Sequence, residues 1–496
     1  MTVTNQNNHS SIISLSDDEP SFKFQRLASL DFQRGLAIWM MVFLHVFNHM
    51  YDYSWVDPGQ LFTGIPFFLS IFIAFSAYFG NWAGYFILIS AIVNAFSTTK
   101  KAMHGKDSPE RLFGKQLLTG LGILIAGFIT ESFGYYGYFG RVLRSGAVFS
   151  RETWIDPINV SFIWRKLFMM EALQAIGWCL VLTSIVQYFL LRKGGANKFK
   201  RNIIVYGLLT IVVLVATPFI WNWIDNLSLW SIPTYQEVLD HGFTGEYHLS
   251  WPSSFFQSYN ASFFAYIMTV LTGDLYPIFP FLAVSLLGSL FGIVLAMPQP
   301  PKRLPLWGGL LTLGILVIGV ITTILLPFDI SFERPYMGFF FFLLGGQVGA
   351  VVLLFWLIDW RGKGEQFAKN PIIKYFRVWG MLALTIFFLQ IWSLIPRAVF
   401  NFTHPENLMN YRFPKGQEWI VFIFAFVTII FYDLLIWLWA QINFVGSFEW
   451  IIIRFASIVT KKPSKRLKVK YMLNEINWMN YQSLFEPGTS DAQISI

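Results

Sequence analysis

RLASLDFQRGLAIWMMVFLHVFNHMYD, residues 26–52, is an apolar run with an arginine near its start and a histidine in its middle. Arg34 and His45 are eleven residues apart. At roughly 100° per residue that is three helical turns plus about 20°, so both side chains share one face, about 16 Å apart along the axis. Half a hydrocarbon core is about 15 Å thick, so an Arg34 at the membrane surface puts His45 near the midplane. An ionisable group at that depth marks a candidate functional site.

The rest of the chain supplies the membrane. Of 496 residues, 55% are apolar, 19% aromatic and 13% charged. Soluble domains carry about 25% charged residues, so the chain reads as an all-α polytopic integral membrane protein. Apolar windows predict about ten spans, near 35–52, 80–99, 116–132, 168–190, 202–223, 276–297, 306–327, 337–358, 378–396 and 418–440. Two further apolar stretches, 61–79 and 443–458, read as re-entrant or interfacial helices; a full crossing by 61–79 would raise the count to eleven.

The formal charge of +8 is dispersed among short loops rather than gathered in a stripe, which argues against nucleic acid as a partner. With both termini cytoplasmic, 27 of the 36 Lys and Arg fall on the inner side, as positive-inside topology requires. The interval 202–301 has no Lys or Arg and fits a long external loop. Its Asp240, His241, Glu246 and His248 stand among Trp and Tyr residues, a mixture that suits sugar stacking and equally suits interfacial anchoring. The expected organisation is a disordered cytoplasmic tail over 1–22, a membrane domain over 23–458 and a basic cytoplasmic tail over 459–496. The polar N-terminus is not a cleavable signal peptide. A plasma membrane is the expected location. The single cysteine, Cys179, excludes an intrachain disulfide.

On the first span His45, Asn48, His49 and Asp52 follow one another at i, i+3, i+4 and i+7, a polar stripe running outward from the midplane. Asp31 and Arg34 lie at its inner end. A neutral imidazole is a competent general base. An interfacial arginine suits an anionic phosphate, because its planar fork binds two oxygens. Each also has a plain structural reading, Arg34 as a snorkelling anchor and His45 as an interhelical contact. Two histidines with Asp52 could also ligate a metal, but no complete metalloenzyme signature is present, and no metal is expected. Glu171 and Gln174 in the fourth span are candidates for substrate contact. Gln390 and Asp433 are similar cases in the last two spans, and Glu131 caps the third. Glu449 with Arg454 reads as a juxtamembrane pair.

The string Arg26-x3-Leu30-Asp31-x2-Arg34-Gly35-x-Ala37-Ile38 followed by His45 resembles the first span of the transmembrane acyltransferase superfamily, the heparan-α-glucosaminide N-acetyltransferase-like enzymes and their prokaryotic relatives. EALQAIGWCLVL (171–182), PIFPFLAVSLLGSLFGIVLA (277–296), GMLALTIFFLQ (380–390) and VGSFEWIIIR (445–454) resemble later segments of that superfamily in the expected order. The resemblance covers about residues 26–455. It implies transfer of an acyl group, acetyl in the simplest case, from cytosolic acyl-CoA to a hydroxyl or amine of a sugar or glycolipid acceptor at the outer face. On that template Arg34, with Asp31, binds the donor. His45 is the base or a transient acyl carrier, and His49 competes with it for the central role. Transport of a polar or anionic solute is the alternative the residues leave open.

Overall fold

The computed structural model describes residues 25–52, 65–80, 83–134, 138–144, 151, 170–227, 263–273, 275–325, 337–401, 412–460 and 468–485. The first helix, α1 (Ala28–Met50), is followed by α2 (Phe67–Gly80), α3 (Ala83–Met103), α4 (Pro109–Phe133) and α5 (Tyr138–Arg144). Next come α6 (Ala172–Leu191), α7 (Phe199–Asp225), α8 (Phe263–Thr272), α9 (Ile278–Ala296), α10 (Leu304–Leu325) and α11 (Met337–Phe355). A π-helical turn, Trp356–Trp360, leads to α12 (Gly364–Lys369), α13 (Pro371–Met381), α14 (Ala383–Phe388) and α15 (Leu394–Asn401). The chain continues through α16 (Glu418–Gln441), α17 (Phe448–Thr460) and α18 (Val469–Asn474).

The protein is an all-α membrane protein. Among the described residues, eight helices are long and apolar enough to cross a bilayer: α1, α4, α6, α7, α9, α10, α11 with its π turn, and α16. Two bent pairs bring the total to ten if each makes one crossing. In one, α2 and α3 meet at 47°; in the other, α13 and residues 383–399 meet at 69°. The stretch 61–79, expected as a re-entrant or interfacial helix, forms over its described residues one limb of a bent pair with the expected second span, a geometry that fits either a re-entrant helix or a broken span. The expected span 378–396 is broken near its start, at Leu382.

Local chemistry starts several helices. Ser108 caps α4, its Oγ accepting from Arg111 N at 3.3 Å, with Pro109 at the first helical position. Asn370 and Pro371 do the same for α13. α1 has no cap of its own, yet its first N–H groups cannot be left bare in a buried setting. Asp359, fully buried in the π turn, supplies the missing acceptors: Oδ1 takes Ala28 N at 2.8 Å and Oδ2 takes Ser29 N at 3.1 Å.

Around α1 the packing is close. Gly35 crosses α13 so tightly that a Cβ there would lie 1.7 Å from the Phe376 carbonyl oxygen. Gly80 at the end of α2 meets the α1 backbone at Met40 and Met41. α3 packs along α9, α4 along α6, and α10 along α11.

Within the stretch read as the basic C-terminal tail, residues 468–485 pack against the bundle. Gln25–Arg26 (β1) and Asn477–Trp478 (β2) pair in parallel, with Met479 N donating to Arg26 O at 2.8 Å. Tyr481 is fully buried, its hydroxyl donating to Leu295 O at 2.8 Å. Burial and the neighbouring Asp359 hold that phenol well above its ordinary pKa. Residues 468–485 thus tie the first described residues, Gln25 and Arg26, to α9 and α11.

Candidate functional site

One cavity of about 600 Å³ runs beside α1 and is lined from that helix by Leu30, Asp31, Arg34, Ile38, Met41 and His45. Fifteen residues of helix separate Leu30 from His45, about 22 Å at 1.5 Å each. The shared face read from the spacing is therefore the face the cavity touches. Arg34 and His45 look into one void.

At the Arg34 end the void also meets Arg26 and Met472 of α18. Arg26 Nη2 donates to Asp31 Oδ1 at 2.6 Å, so Asp31 is the counter-ion of Arg26. Its spacing had grouped it with Arg34 instead. Arg34 makes no hydrogen bond or ion pair among the described residues, and its Nε is buried without an acceptor. A buried donor of this kind costs stability unless something accepts from it. A bound anion meets that need, and the fork geometry of Arg favours a phosphate. Arg377, bonded through Nη2 to Met472 O at 2.5 Å, adds positive charge nearby.

Deeper in, His45 Nδ1 lies 2.8 Å from Gln390 Oε1. The Gln390 amide nitrogen points at Met41 Sδ, 3.8 Å away, which leaves Oε1 as the group facing the imidazole. An acceptor on Nδ1 places the ring proton there and makes Nε2 the basic nitrogen. Gln390 was legible in the sequence as a polar residue in a span, but not as the partner that sets this tautomer.

At the far end of the void stand Glu131 and Glu171, with Leu275 and Tyr276. Glu171 thus shares the cavity with Arg34 and His45. Gln174 does not: it turns toward Gly127 of α4, buried, with neither amide atom hydrogen-bonded among the described residues. His49 lies on the other side of His45, where a small second void is lined by both histidines with Gln390, Ser393 and Tyr432. The two ring centroids are 6.3 Å apart. Asn48 and Asp52 line neither void. The outward stripe therefore divides, with only His45 reaching the main cavity.

Both helix breaks open onto the same space. Gly80 and Ala83 flank the first, Met381 and Ala383 the second, and all four line the cavity. The start of α14 is capped by Glu449: its Oε1 accepts from Leu384 N at 2.5 Å and Thr385 N at 3.2 Å, and its Oε2 from Thr385 Oγ1. Glu449 is thus a helix cap on the cavity wall, where the sequence had paired it with Arg454. Asp433 is held by Trp379 Nε1 at 2.9 Å and Tyr375 OH at 3.1 Å, away from the cavity. Among the described residues no three His, Cys, Asp or Glu side chains converge to hold a metal ion. The acidic and aromatic loop residues from 228 to 262 lie outside the described residues.

Set against protein-family models, curated proteins and solved structures, the chain matches none.

Proposed function

We propose that the chain is an integral membrane acyltransferase. It takes an acyl group, acetyl in the simplest case, from acyl-CoA on the cytosolic side to a hydroxyl or amine of a sugar-type or glycolipid acceptor at the outer face. The observation that carries this reading is the placement of Arg34 and His45 on one wall of a single cavity, beside the motif resemblance. Arg34 and Arg26 hold the donor phosphates at the basic end. His45 Nε2 takes the proton of the acceptor as its oxygen or nitrogen attacks the thioester carbon. The carbon–sulfur bond breaks and CoA leaves as the thiolate, which His45 can reprotonate. Holding donor and acceptor in line in one void lowers the barrier through proximity.

The two helix breaks favour a second reading, transport of an anionic solute, because interrupted spans meeting at a charged site are how many transporters bind cargo. One experiment separates them. Purified protein in proteoliposomes is given radiolabelled acetyl-CoA, with glucosamine as a probe acceptor offering both an amine and hydroxyls. Free CoA thiol and donor binding are measured. Acyl transfer predicts thiol release that falls about 10²-fold or more in His45→Ala. It predicts donor binding about 10- to 100-fold weaker in Arg34→Ala, the loss of charge-assisted hydrogen bonds. Acetyl-CoA binding untouched by Arg34→Ala, or thiol release undiminished in His45→Ala, rejects these roles. Uptake of intact label into the vesicles without thiol release favours transport.

A further inference from the structure

α17 is the unusual wall of this cavity. It is 13 residues long, about 20 Å, too short to cross a hydrocarbon core of about 30 Å. One of its faces supplies Glu449, Trp450, Ile452 and Ile453 to the cavity. The opposite face leaves Phe455 62% and Ile458 61% exposed. A single short helix therefore stands between the void and the apolar surface that meets lipid.

Its fastening is uneven. The N-terminal end is bound to the broken span: Phe448 N donates to Thr385 Oγ1 at 2.9 Å, and Glu449 caps α14. Further along, α17 rests on α4 by apolar contact, Ile452 against Gly122. Just before it, Asn443 (φ +54°), Phe444 (φ +56°) and Gly446 (φ +85°) adopt left-handed backbone. For a bulky residue such as Phe444 that conformation is rare, and such strain clusters at clamps and switches. Between its polar ends the void is apolar, with Ile38, Met41, Ile123, Ile176, Leu180 and Phe387 in its lining.

We infer that this cavity binds a hydrocarbon chain carrying an anionic head, admitted from the bilayer between α4 and α14 when α17 swings aside about residues 443–446. The head meets Arg26 and Arg34, and the chain lies along the apolar middle. The inference rests on the acyl-transfer reading only for what the chain is: either the acyl tail of a long-chain donor or the lipid anchor of the acceptor. Burial of a methylene is worth about fourfold in affinity, so a long chain outcompetes an acetyl group of equal head by orders of magnitude.

The test is photo-crosslinking of the full chain in phosphatidylcholine nanodiscs. One arm uses a diazirine-bearing palmitic acid delivered through the bilayer, the other its CoA thioester delivered from solution, with adducts mapped by mass spectrometry. The expected adducts lie on cavity residues such as Ile123, Ile176 and Ile453. A Cys179→Ser, Gly122→Cys, Ile452→Cys variant, oxidised to pin α17 to α4, should lose at least tenfold of the bilayer-delivered adducts and regain them on reduction. Recovery on reduction shows that the variant is folded. Cavity adducts from the thioester arm alone, resistant to the lock, overturn access from the bilayer. Adducts confined to lipid-facing residues such as Phe455 and Ile458 overturn the binding site. Chain binding that persists while no CoA is ever released would sink the acyl-transfer reading and leave this inference standing.

Discussion

α1 and α10 are both apolar helices of similar length, yet they use the bilayer in opposite ways. α1 carries Asp31, Arg34, His45 and His49 and is the least hydropathic of the eight spans, and 72% of it is buried inside the protein. α10 has no charged residue, is far more hydropathic, and is 17% buried, with α11 as its one extensive partner among the described residues. In water the more apolar helix would be the interior one. In lipid the polar groups need the interior, because only there can they find hydrogen-bond partners. The span of lowest hydropathy is thus the one whose polar groups most need the interior.

The two helices should differ most when a glycine is enlarged. Gly35→Leu places its side chain against the Phe376 carbonyl and the Gly380 backbone, rigid atoms that cannot yield. Overpacking of this kind costs about 3 kcal/mol or more, so the variant should fail to give a monodisperse peak on size exclusion. Gly314→Leu on α10, with nothing within 4 Å of its would-be Cβ, should elute like the wild type. Equal behaviour of the two variants would remove the claim that α1 is the packed centre.

A smaller loss should come from the helix start. Asp359→Ala strands the amides of Ala28 and Ser29, each costing about 1–3 kcal/mol when buried and unpaired. Thermal unfolding should move down by several degrees. Asp359→Asn, which keeps one acceptor, should recover about half of the loss. Because these amides lie at most six residues ahead of Arg34 and Asp31, the alanine variant should also weaken binding of the proposed acyl-CoA donor. An unchanged melting temperature in Asp359→Ala would show that α1 does not depend on this distant cap.

Hydropathy makes the bundle legible, since a span must be apolar whatever it packs against, and the Arg34–His45 face follows from helix geometry alone. What packs against that face is another matter. Asp359 lies over 300 residues from the amides it caps, and Gln390 is as far from His45, so no local pattern announces either pairing. The break at Leu382 has neither proline nor glycine at its centre; it is stabilised by Glu449, a residue whose nearest opposite charge in sequence, Arg454, suggested a different role. The basic run before residue 471 likewise hides a return to the bundle by Met472, Trp478 and Tyr481. Each of these is a long-range tertiary contact overriding a short-range reading.

The smallest effect expected is also the most specific to a membrane setting. Leu313 on α10 is 58% exposed, and Leu88 on α3 is 2% exposed against α9. Leu88→Ala leaves a hole that neighbours fill only in part, at about 2–5 kcal/mol. Leu313→Ala leaves no hole, because a mobile lipid chain moves into the space. Lipid tails are as apolar as the leucine removed, so no hydrophobic term opposes the exchange, and the change should stay within about 0.5 kcal/mol. Thermal unfolding of both variants in nanodiscs reads the difference directly. A Leu313→Ala loss approaching that of Leu88→Ala would mean that the outer face of α10 is covered by protein rather than lipid, and α10 would then belong to the interior with α1.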